Sequence, residues 1–188
     1  GTIVEVDVND PKAPTACWTA SVDSPLLHVA LSYDAKYAIS KGKRVACWEL
    51  STNKKVFDGP TQPVLLPAID SSNSRLHTAK DARTTQIIDL KTGAPIGNSI
   101  PTKYLCFASA FSPNGNLLAT GGWDYAVKII DLSTETQAVS PIRGNATPQS
   151  LQFGPDSSSL LVVAGSPQFV TNAPFQATLP KYLFAFSR

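Results

Sequence analysis

The sequence predicts an all-β chain made of one antiparallel meander of short strands repeated several times. Three observations carry that expectation. First, apolar runs of four to seven residues alternate with turn-forming clusters, as in Ser112-Pro113-Asn114-Gly115, Leu117 to Thr120, Gly121-Gly122-Trp123-Asp124 and Ala126 to Leu132. Second, an acid between apolar residues ends a strand at positions 7, 49, 89 and 131, at intervals of 42, 40 and 42. Third, an apolar residue closes an opening strand at 31, 69, 111 and 153, at intervals of 38, 42 and 42, each just before a polar turn. No long segment carries the 3.6-residue apolar period of a helix.

Two landmarks that share one period define a repeat of about 40 residues, the size of one propeller blade. The predicted fold is therefore a β-propeller of four-stranded antiparallel blades, with about four blades' worth of sequence. The units fall at residues 1–25 (half a blade), 26–62, 63–103, 104–146 and 147–188 (partial). Residues 2–8 align with a third strand and Thr15 to Ala20 with a fourth, while Gln149 to Phe153 and Leu160 to Ala164 align with a first and a second. The two ends could jointly build a fourth blade and close a small ring. The favoured alternative is an arc of a larger ring, whose bare strand edges something else must cover. Pro167, Pro174 and Pro180 break the pattern, and Lys181 to Phe186 alternates enough to be one more strand.

Composition excludes several classes. Of the 188 residues, 43% are apolar and 16% charged, so the chain is a folded body rather than a disordered tail. A formal charge of +2 gives no global reason to expect nucleic acid or an acidic membrane. No apolar run reaches the ~18 residues of a membrane-crossing helix, and the first residues do not read as a secretion signal. Cys17, Cys47 and Cys106 are too scattered for a disulfide framework or a zinc site. They read as reduced thiols, which predicts a cytoplasmic setting with the nucleus open; the absence of Met suits a piece of something longer.

Phe-Ser-Pro-Asn-Gly at 111–115, Leu-Ala-Thr-Gly-Gly-Trp-Asp at 118–124 and Val-Lys-Ile-Ile-Asp-Leu at 127–132 resemble a blade of the WD-repeat β-propeller family, with Ile130-Asp131 where that family has Trp-Asp. The resemblance is closest over 104–144, looser over 26–103 and faint over 147–165. It implies a non-catalytic scaffold that binds another protein or peptide, with no cofactor and no metal. It also implies a hydrogen-bonded set of His, Ser or Thr, Asp and Trp in each blade. Asp124 and Asp81 match the aspartate, Thr120 the hydroxyl and Trp48 the tryptophan, but no blade holds the full set. Asp124 and Asp81 are expected to hold their turns by accepting backbone N–H bonds, and Gly121 and Gly122 to be turn residues that supply positive φ or close approach.

The same resemblance places the turn between second and third strands on the face most used for binding. Trp123 stands at the tip of such a turn, either as a partner anchor or folded over a neighbouring blade. Lys80 stands at the equivalent turn one blade earlier, and Lys41, Lys43 and Arg44 flank the one before that. Cations around an aromatic suit an acidic or phosphorylated segment, although lysines on hairpin turns are also ordinary solvated residues. Catalysis would have to use His28 or His77, both in strands where a partly buried structural histidine is the plainer reading. Asp70, Asp81, Asp89 and Asp131 come one per repeat and read as turn anchors. Two alternatives stay open: a sensor propeller of a multidomain protein, and a propeller enzyme whose active groups lie outside this segment.

Overall fold

Alternating apolar residues bounded by Gly, Pro, Ser and Asp leave each short run one way to bury itself, by pairing with its sequence neighbour and stacking a face on the next pair. The computed structural model describes residues 2–7, 15–21, 28–32, 34–60, 67–70, 72, 74–165 and 182–187. Pro167, Pro174 and Pro180, read as breaks in the pattern, lie outside them. The described residues form strands and turns and contain no helix.

The strands are β1 (Thr2–Asp7) and β2 (Thr15–Ser21), which pair with each other; β3 (His28–Leu31), β4 (Tyr37–Lys41), β5 (Arg44–Glu49) and β6 (Lys54–Pro60), here blade I; and β7 (Ala68–Ile69), β8 (Arg75–Ala79), β9 (Thr84–Asp89) and β10 (Pro95–Pro101), blade II. Blade III is β11 (Cys106–Phe111), β12 (Leu117–Gly122), β13 (Ala126–Asp131), and an outer strand split into β14 (Thr136–Gln137) and β15 (Ile142–Arg143), both paired to β13. Blade IV is β16 (Thr147–Phe153), β17 (Ser159–Gly165) and β18 (Tyr182–Ser187). All these pairings are antiparallel.

The core lies between blades. Ile39, Val45 and Cys47 of blade I meet Leu76, Ile88 and Leu90 of blade II. Ile87 meets Phe111, Leu118 and Ile130 of blade III. Ala108, Leu117, Ala119 and Val127 then meet Leu151, Phe153, Leu160 and Val162 of blade IV. Blades II and III thus each show one face to the blade before and the other to the blade after, the packing of a propeller arc. On blade I, Val29 and Leu31 remain exposed.

Joint construction of a fourth blade by the two chain ends does not occur. β18 pairs with β17 from Ser159–Ser187 to Ala164–Tyr182, and so fills the edge that β1 would have needed. β1 and β2 form a two-stranded sheet of their own. The tail strand follows β17 far more closely in sequence than β1 stands to it, and the shorter loop costs less entropy to close.

The periodic acids acquire a mechanical meaning. At the turn after each third strand, Glu49 takes the hydroxyl of Thr52, Asp89 takes the N–H groups of Lys91 and Thr92, and Asp131 those of Ser133 and Thr134. At the turn after each first strand, Ser32 and Asp34, Asp70, Ser112 and Asn114, and Asp156 do the same. Short polar side chains here replace the hydrogen bonds that the reversing backbone loses.

Candidate partner-binding face

Three turns connect second to third strands: Gly42-Lys43, Lys80 to Arg83, and Trp123 to Tyr125. Ala79 packs on Cys106 at the foot of two of them, which brings the turns of blades II and III together. The turn of blade III closes through Tyr125 N–H to Gly122 O at 3.1 Å, and Trp123 N–H reaches back to Leu105 O at 3.1 Å.

That geometry moves the two glycines out of the turn. Gly121 and Gly122 end β12 and are buried, and neither has positive φ. They answer to close approach instead. A Cβ on Gly121 would collide with Pro148 of blade IV, and one on Gly122 with the Leu105 carbonyl. Thr120 is buried in β12, opposite Ser109 and Lys128.

Asp81 and Asp124 part company. Asp81 accepts the N–H of Arg83 at 2.9 Å and the hydroxyl of Thr84 at 2.7 Å, and these donors hold its carboxyl below the usual range. Asp124 departs from the expected turn anchor. Its carboxylate pairs with Lys128 Nζ at 3.2 Å, because Tyr125 adopts φ 55° and the backbone closes the turn by itself. Trp48 sits in β5, half-buried, and its indole N–H points at Ser40 Oγ 3.5 Å away, with Lys55 Nζ 4.9 Å from the ring centroid. Ser40 is the blade I counterpart of Thr120, so the tryptophan–hydroxyl pair occurs within one blade after all.

The exposed aromatics define the face. Trp123 is 42% exposed and its ring lies 5.7 Å from that of Phe107, tilted by 36°. It neither enters the core nor stands free; Phe107 supports one side of the indole. Tyr104 and Tyr125 are exposed nearby, and Lys103 Nζ is 5.4 Å from the Tyr104 ring. Sequence reading missed Tyr104, Phe107 and Tyr125, although an aromatic after Trp-Asp at a tight turn was a visible oddity. A pocket of about 20 Å³ indents this surface, lined in part by Thr102, Tyr104 and Asp124.

The cations are distributed unevenly. Lys80 is exposed and donates to Ser99 Oγ at 2.7 Å, and Lys43 is exposed. Arg44 is exposed but spends its donors on the carboxylate and carbonyl of Asp58, which also takes Lys55 Nζ at 2.9 Å. Lys41 does not reach the face. As the last residue of β4 it points the same way as Ile39, is 6% exposed, and has its pKa lowered by that burial.

The histidines hold no catalytic pose. His28 is half-buried in β3. His77 is fully buried, with both ring nitrogens unpartnered, and burial pushes its pKa down to about 4. It pairs across the sheet with Ala68 and Ile87, in register with Ala119 of blade III rather than with Thr120. Cys47 and Cys106 are buried free thiols, each pushed up to about 12 by desolvation. Among the described residues no three His, Cys, Asp or Glu side chains gather as metal ligands would. No helix among them is long and apolar enough to cross a membrane.

No known protein-family profile matches the chain. It is 29% identical over 110 residues to a U3 small nucleolar RNA-associated protein 15 homolog of Xenopus laevis, a match covering 58% of this chain and 21% of that protein. It is 36% identical over 53 residues to a Periodic tryptophan protein 2 homolog of Neurospora crassa, covering 28% of this chain and 6% of that one. The chain therefore spans about a fifth or less of the curated relatives it matches. Among solved structures, the RRP9 WD40 repeats superpose with a TM-score of 0.63 at 14% identity, over 78% of this chain and 47% of that one. Kuenenia stuttgartiensis hydrazine synthase superposes equally well, with a TM-score of 0.63 at 15% identity, over 79% of this chain and 45% of that one. Likeness at such low identity is a likeness of fold. With the 40-residue repeat, the turn acids and the blade-on-blade core, it gives the chain the β-propeller fold that the WD40 repeats of RRP9 also have.

Proposed function

We propose that the chain is a non-catalytic scaffold that holds another protein through the face built from its second-to-third-strand turns. The observation that carries this reading is Trp123, 42% exposed at a turn tip and backed by Phe107. Burial of such an indole by a partner is worth ~2 kcal/mol or more. Lys80 and Lys43 add positive charge, Arg44 adds a cation already answered by Asp58, and the buried Lys41 does not reach this surface. An acidic or phosphorylated segment complements this surface.

The frog relative's name ties that protein to the U3 small nucleolar RNA. It supports a nuclear setting inside a ribonucleoprotein assembly and gives no support to the cytoplasmic one. The partner is a protein within such an assembly.

The test is Trp123→Ala in the whole protein, with cross-linking and mass spectrometry of captured partners and a thermal scan alongside. The expected outcome is loss of captured protein with an unchanged melting temperature. Unchanged capture would remove Trp123 from the interface, and a collapsed melting transition would make it a structural residue.

A further inference from the structure

Between blades II and III the core does not close at its outer margin. A cavity of about 350 Å³ opens there, floored by Ile87 and Ile130 and walled by Ile96, Ile100 and Leu132. That volume is within the usual range for ligand pockets of ~300–1,000 Å³. Ile96 is 40% exposed within it.

The wall is built rather than accidental. β10 leaves register between Ile96 and Ile100, so Gly97, Asn98 and Ser99 bulge away from β9. Glu135 of blade III holds the bulge: its carboxylate accepts the backbone N–H of Asn98 at 3.1 Å and the Asn98 side-chain amide as well. Glu135 does so from φ 57°, a left-handed position that Asn53 and Gly93 occupy at the equivalent turns of blades I and II. Asn and Gly accept that conformation easily and Glu does not. Gly97 leaves room for the carboxylate, since a Cβ there would collide with it.

Charge selects the occupant. The two cations lining the cavity are already matched, Arg75 by Asp70 at 2.9 Å and Lys128 by Asp124 at 3.2 Å. Among the described residues Glu135 meets only the neutral donors of Asn98. An apolar cleft with an unneutralised carboxylate at its mouth suits an aliphatic side chain next to a positive one.

We propose that this cleft is a second binding site, which takes an extended segment of a partner protein by seating a Leu-like side chain among Ile87, Ile96, Ile100 and Ile130 and a neighbouring Lys or Arg against Glu135. Its upper end adjoins the turn face through the Lys80–Ser99 hydrogen bond, so one partner could engage both. The site stands on its own observations, whatever becomes of Trp123.

The test labels isoleucine methyl groups in the full chain and titrates two acetylated hexapeptides, Ser-Lys-Leu-Leu-Lys-Ser and the same peptide with glutamates for the lysines. The expected result is that the Ile96, Ile100 and Ile130 methyls shift with the lysine peptide, which binds at least five-fold more tightly than the glutamate one. Glu135→Gln, which keeps an acceptor for Asn98, should erase that preference. Ile96→Ser should abolish the shifts with an unchanged melting temperature, and Trp123→Ala should leave them intact. Absence of methyl shifts, equal binding of both peptides, or shifts that follow protein concentration alone, as a second copy in the cleft would give, each overturns the proposal.

Discussion

Tyr125 and His77 occupy positions that cost stability. Tyr125 has φ 55° and is 49% exposed, a combination disfavoured for a bulky side chain. Tyr125→Gly should therefore stabilise the fold by about 1 kcal/mol, seen as a raised melting temperature; a lowered one would show that the ring packs favourably. His77 is held neutral, with its pKa lowered from 6.5 to about 4. A base depressed in the folded state leaves the fold stable above its unfolded pKa, so stability falls as the pH drops from 6.5 toward 4. The total is on the order of 3 kcal/mol. Asp70, also lowered, acts below that window because its ordinary value is 3.8. His77→Val should flatten urea-unfolding stability between pH 6.5 and 4, because Ile39 and Ala119 occupy the matching positions in blades I and III. An unchanged slope would place the titrating group elsewhere. The sequence aligned His77 with Thr120 because the three turns differ in length, and a one-residue slip in a strand changes the face. Lys41 was misplaced for the same reason: the first turn needs only Gly42 and Lys43.

At the scale of elements, blades are joined by turn residues as well as by cores. Arg75 donates to Asp70 at 2.9 Å and to the Gly115 carbonyl at 2.7 Å, and stands 5.3 Å from the Phe111 ring centroid. Asn114 N–H donates to Ser157 Oγ at 3.1 Å across the next boundary. Arg75→Ala leaves the buried Asp70 carboxylate with its neutral donors but without its cation, opens the contact between blades II and III, and should destabilise by about 3 kcal/mol in chemical unfolding. A loss below 1 kcal/mol would mean that the apolar contacts alone hold the boundary. The turn acids were legible in the sequence because they repeat, and the strand order followed from their spacing. The bridges were not, since Asn98 and Glu135 lie 37 residues apart and neither belongs to the repeat pattern. Asp124 was misread because its neighbour Tyr125 took a conformation that a pattern of residue types does not announce.

On the scale of the whole molecule, the first strand of blade I keeps two large apolar side chains in view. Val29 is 45% and Leu31 52% exposed on β3 of blade I, an apolar stripe that a neighbouring blade or another chain would cover. Free in solution the chain should self-associate through it. Light scattering on Val29→Ser with Leu31→Ser should then report a smaller mean mass at the same melting temperature; an unchanged mass would point to association elsewhere. The repeat made the arc legible, and the tail strand was visible as an alternation, but its sheet was settled only when β18 took the edge of β17.

The divided outer strand of blade III has a practical meaning for how such a protein can change. β14 and β15 each grip β13 by two residue pairs, and between them exposed Val139 and Ser140 carry no part of the ladder. New sequence entering there would leave the packed strands β11 to β13 as they are. The rim of blade III is thus the place where a longer loop, or a reporter tag, can be grafted without interrupting the ladder of β11 to β13.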